Sequence, residues 1–176
     1  MNHNMTYRET KETPQEYLPI MEDLRDPTPT PVVNVTPTTV EAGKSTFTVA
    51  NNKGEHYTFM VTKKDPEPGT RWVAYGPSWF VALLTGPNND QDYTYMGVLN
   101  HAADTMYVYL TKASKFNPDS KPVQVFDFAM RVICGVQSLP NGYSIQHDGT
   151  CAKCHRKLTD PTSLEIGLGP VCRGDY

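Results

Sequence analysis

Residues 44–62 read KSTFTVANNKGEHYTFMVT, and the patterning of this stretch decides the fold. Lys44–Ala50 alternates polar and apolar residues, as a strand with one buried face does. Asn51-Asn52-Lys53-Gly54 is turn chemistry, with Gly54 able to take a positive φ. His56–Thr62 is a second β-rich run, so the two halves predict a hairpin. Working outward, Asp65-Pro66-Glu67-Pro68-Gly69 reads as a loop. Arg71–Tyr75 and Trp79–Leu84 follow as strand candidates split by Gly76-Pro77. After a turn at Gly86–Asp90, Tyr93–Leu99 and Thr105–Thr111 complete the set. Short strands spaced by turns predict an antiparallel sheet rather than βαβ units.

One helix is expected, from about Val123 to Val136. Val125, Phe128, Val132 and Ile133 form an apolar stripe at helical spacing, widened by Phe126, Met130 and Cys134. Pro122 suits the first helical turn. The helix should cover one face of the sheet, and Cys134 on its stripe reads as an inert buried thiol. The expected fold class is α+β: an antiparallel sheet over Lys44–Thr111, one packed helix and a small C-terminal metal knuckle.

The 176 residues suit one medium domain with an appendage. Six of the 15 prolines fall before position 40, and Met1–Thr30 holds six acidic residues against three basic ones. Such a segment buries too little apolar surface to offset its ordering entropy. The expected division is an extended arm over 1–39, a β-rich body over 40–140 and a metal-binding segment over 141–176. A net charge of −3 excludes a strongly basic nucleic-acid coat. The longest apolar run, Trp79–Leu84, is too short to span a bilayer, and the polar N-terminus shows no secretory signal. A cytoplasmic protein with no membrane partner is the expectation.

Residues 146–176, QHDGTCAKCHRKLTDPTSLEIGLGPVCRGDY, carry the chemistry. Cys151 and Cys154 form a Cys-x-x-Cys knuckle, and Cys172 supplies a third thiol. Zinc in a structural site takes four tetrahedral protein donors. His147, four residues before Cys151, is the expected fourth ligand. His155 competes for that place, although a residue directly after a ligand usually points away. A disulfide lacks an export signal to support it, a thioredoxin-like site would open a helix after the knuckle, and an iron–sulfur cluster calls for four cysteines. One structural Zn2+ is therefore the expected cofactor. Asp160-Pro161 reads as an N-cap and first residue of a short helix, Gly167 as its stop, and Gly169-Pro170 as the turn that returns Cys172.

The string Cys-Ala-Lys-Cys-His-Arg-Lys-Leu-Thr-Asp-Pro-Thr-Ser, followed by Gly-Leu-Gly-Pro-Val-Cys, resembles the C-terminal zinc-binding motif of a family of small bacteriophage proteins whose domain has no assigned function. The resemblance is close over Cys151–Cys172 and looser over Tyr93–Lys115. It implies a phage-encoded protein acting in the bacterial host cytoplasm, and it favours His147 as a ligand; it implies no reaction.

Other signals are weaker. Ala42-Gly43-Lys44-Ser45 ends like a phosphate-binding loop, but Thr38 stands where its first glycine belongs and a strand follows. No nucleophile–base pair stands out near His101 and Asp104, so no enzyme is expected. Tyr93, Tyr95, Tyr107 and Tyr109 could line one patch if their strands pair. With Lys112, Lys115, Lys153, Arg156 and Lys157 they would suit nucleic acid, and plain sheet packing is the competing reading. Two functions follow as expectations: a nucleic-acid-binding module, or a factor that engages a host protein.

Overall fold

In the computed structural model, residues 31–174 are described. The hairpin that opens the sheet forms as the alternation predicts. β2 (Lys44–Asn51) and β3 (His56–Lys64) pair antiparallel, with Phe47 opposite Phe59. β4 (Ser78–Leu84), β5 (Tyr93–Ala102) and β6 (Thr105–Tyr109) extend it as a meander. Arg71–Tyr75, expected as a strand, is instead a 3-10 turn. Gly69 and Gly76 bracket it, both at positive φ, and fold these five residues back before any pairing can form.

The sheet differs from expectation at its other edge. β1 (Val32–Val33) and β7 (Tyr143–His147) join it, giving seven strands in the order β1-β7-β2-β3-β4-β5-β6. β7 is antiparallel to β2, but β1 runs parallel to β7, so the sheet is mixed and not purely antiparallel. The sequence hid β7 because YSIQH is short and follows a Pro-Asn-Gly turn. Residues 31–39, assigned to the arm, are built into the body. Val35 and Val40 are buried, and Thr36 and Thr39 close a capping box on α1 (Pro37–Val40). The rest of the expected arm, with its candidate docking turn at Tyr17–Leu24, lies outside the described residues.

α2 (Lys121–Ile133) covers one face. It stops earlier than expected because Gly135 turns left-handed at φ 76° behind Cys134. Phe126 meets Phe47 and Phe59 at ring-centroid distances of 6.2 and 5.2 Å, and all three are fully buried. Asp127 on α2 accepts the outward-pointing Val108 N–H of edge strand β6 at 3.0 Å, which closes part of that edge to other strands. The opposite face is curled enough for Tyr93 on β5 to share a cleft with Thr46 on β2, three strands away. Among the described residues, no helix is long and apolar enough to cross a membrane.

Candidate metal centre

The centre hangs from the end of β7. Asp148 accepts the Thr150 N–H and hydroxyl at 2.9 and 2.6 Å, which turns the chain away from the sheet. A narrow hairpin follows. Thr150 bridges Lys157, Cys151 N donates to Arg156 O at 2.8 Å, and His155 N donates to Cys151 O at 2.8 Å. His155 sits at its tip in the left-handed region, at φ 60°. The hairpin is docked at both sides. Lys44 N, at the start of β2, donates to Ala152 O at 2.6 Å, and Ala152 N donates to Gly167 O at 3.0 Å.

The downstream turns follow the sequence closely. Asp160 caps α3 (Pro161–Ile166) by accepting the Ser163 N–H at 2.9 Å, and Gly167 ends it at φ 76°. Gly169 opens α4 (Pro170–Arg173), which carries Cys172 back. Leu158 and Leu168 close a small core with Cys151 and Ala152 behind the hairpin.

These turns bring the sulfurs of Cys151, Cys154 and Cys172 within 4.8 Å of one another. Tetrahedral zinc–thiolate bonds of about 2.3 Å place sulfurs about 3.8 Å apart, so the three thiols fit a single ion. All four cysteines are free of disulfides. Burial opposes ionisation of Cys151, but the backbone amides of Cys154, Gly169 and Lys153 outweigh it and bring the thiol down to about 7. Gly169 N lies 3.5 Å from that sulfur. Cys172 is pushed up to about 11, first by burial and then by the neighbouring Cys154 and Cys151 sulfurs. Three thiolates this close cannot all form without a cation between them, which a dication supplies.

His147 does not join the cluster. Its Nδ1 accepts the Gly149 N–H at 2.9 Å, which leaves the hydrogen on Nε2, and Nε2 donates to Leu164 O at 2.6 Å. Both ring nitrogens are committed, and the ring acts as a strut between β7 and α3. His155 does not join it either, since its Nδ1 lies 3.2 Å from the Thr150 hydroxyl. Its ring lines a separate cleft with Lys44, Thr46, Tyr93 and Asp148.

Of the basic residues, Lys153, Arg156 and Lys157 are exposed together on the hairpin. Lys112 and Lys115 are also exposed, but they follow β6 at the far edge of the sheet. The tyrosines divide similarly: Tyr109 is exposed, whereas Tyr93 and Tyr95 are half-buried, with the Tyr95 hydroxyl 3.3 Å from that of Thr111. That arrangement is sheet packing. Two contributors escaped the sequence reading: the Lys44 amide that anchors the hairpin, and the Gly169 amide on Cys151. Both act through the backbone, so residue type carries little signal for them.

A family model described as a family of unknown function, DUF6011, matches residues 145–176, the end of β7 and the metal-binding segment. No curated protein and no solved structure matches the chain.

Proposed function

We propose that this chain is a zinc-stapled binding module that contacts nucleic acid through its C-terminal hairpin, rather than an enzyme. The observation that carries the reading is the hairpin itself. Three thiols converge behind it, and Lys153, Arg156 and Lys157 project from it into solvent. Zinc fits the donor set because it prefers thiolate in a Cys-x-x-Cys turn. Bound there, it would hold the hairpin rigid and offset the thiolate charge. The three cations then meet phosphates, with an affinity that falls with salt. The resemblance to bacteriophage proteins supports the host cytoplasm as the setting, and that setting is part of the same proposal.

The test is fluorescence anisotropy of the full chain with random single-stranded DNA and RNA at low and moderate salt. Replacing Lys153, Arg156 and Lys157 together with Gln should preserve zinc and fold, weaken binding, and flatten the salt slope by up to about three units. No binding by the wild type at low salt refutes the reading. The second reading, engagement of a host protein, is favoured by one feature. Trp72 and Tyr75 on the 3-10 turn are 55% and 79% exposed, with the Arg71 guanidinium 4.6 Å from the Trp72 ring. Exposed aromatics beside an Arg are common anchors of protein interfaces.

A further inference from the structure

We infer that the metal centre keeps its fourth position for a donor from outside the fold: the thiolate of a small molecule that also carries a carboxylate. This rests on the zinc reading above and deepens it.

The three sulfurs converge with no fourth His, Cys, Asp or Glu in the cluster among the described residues. The two histidines nearest in sequence are spent. His147 uses one ring nitrogen on Gly149 and the other on Leu164, and His155 lines a separate cleft, its Nδ1 3.2 Å from the Thr150 hydroxyl. What the thiols face instead is a cavity of about 410 Å³. That is large enough for a small organic ligand. Leu158, Pro170 and Val171 give it apolar walls, and Arg156 and Lys157 line it as well. The fully buried Ser163 also lines it. The Ser163 amide and then its side chain hold the Asp160 carboxyl below its ordinary range. Asp160 is the one carboxylate in the lining, and it is engaged as the cap of α3.

Charge selects among donors. Three thiolates on a dication leave one net negative charge, and a fourth thiolate makes two. Arg156 and Lys157 can balance that second charge and pair with a carboxylate on the same ligand. The thiol loses its proton to the solvent as it ligates.

The experiment loads the full chain with Co2+ and titrates it with mercaptoacetate, with acetate as the control that lacks the thiol. Metal per chain is read by elemental analysis at each step. The expected result is a saturable 1:1 rise in sulfur-to-cobalt charge-transfer absorption at constant metal content, with no response to acetate. Replacing Arg156 and Lys157 with Gln should weaken mercaptoacetate about tenfold, as loss of two charge contacts at a partly exposed site does. His147→Gln and His155→Ala should leave the starting spectrum unchanged, as should Asp175→Asn outside the described residues. Circular dichroism reports whether each variant stays folded. A metal-loaded wild type that ignores the probe overturns the inference and leaves the zinc reading intact. So does a folded variant that alters the starting spectrum. A chain that retains no metal overturns both.

Discussion

Chelating the metal should melt the C-terminal segment and spare the sheet. The segment's own core is small. Leu158 and Leu168, at 7% and 8% exposure, are the only large buried aliphatic side chains among its described residues. Two buried leucines contribute about 3–6 kcal/mol. A structural zinc contributes about 10–16 kcal/mol of apparent binding free energy in small domains. Removing the ion therefore withdraws the larger share of what holds residues 148–174 together. The sheet has its own core in Phe47, Phe59, Phe126, Met96 and Met130, all fully buried, and none of them belongs to the cluster behind the hairpin. Limited trypsin digestion reads the difference. Lys153, Arg156 and Lys157 are exposed on a hairpin whose backbone is tied by Cys151–Arg156 and Leu158–Gly149 hydrogen bonds. With metal, that tight backbone should resist the protease. After chelation, cleavage at these three sites should rise by an order of magnitude or more, while far-UV circular dichroism keeps its β signal. Equal cleavage with and without chelator refutes the claim that metal folds the segment. Loss of the β signal refutes the independence of the sheet.

Other expectations follow from the body of the fold. Phe126→Ala removes a fully buried ring that touches Phe47 and Phe59 and should cost about 3–5 kcal/mol in denaturant melts. Gly97→Ala would place a Cβ 2.4 Å from Tyr109 O and 2.8 Å from Val108 Cγ2, so β5 and β6 must separate, at about 1–3 kcal/mol. Burial on α2 raises the carboxyl of Asp127 above its ordinary value, although the Val108 amide and Arg131 pull it down. Its folded pKa thus exceeds its unfolded one, so the folded state holds the proton more tightly and ionisation as pH rises through the carboxylate range works against folding. Asp127→Asn keeps an acceptor for Val108 and should gain in melting temperature relative to the wild type as pH rises from 4 to neutrality. A constant difference across that range would contradict this sign.

Much of the fold was legible because its strands alternate cleanly. Phe47, Val49, Phe59 and Val61 mark the buried face of β2 and β3 without any structure. Tertiary partners decided the rest. YSIQH becomes β7 only because β2 offers an edge on one side and Val32–Val33 a partner on the other. Arg71–Tyr75 has strand-like composition, but two left-handed glycines set its path. At the metal centre, the three cysteines and the Asp160–Gly167 helix could be read from residue type and spacing. The position of His147 could not, because it depends on Gly149 N and Leu164 O, two backbone groups that no spacing rule places.

Cys151, Cys154 and Cys172 sit together as a possible metal site, and metal analysis of the purified full chain tests most directly the proposal that they hold one zinc per chain. Protein prepared without chelator should carry one zinc per chain. Cys172→Ser should lose most of it, and His147→Gln should keep it. A wild type without zinc would contradict the account, as would a Cys172→Ser variant that binds the metal unchanged.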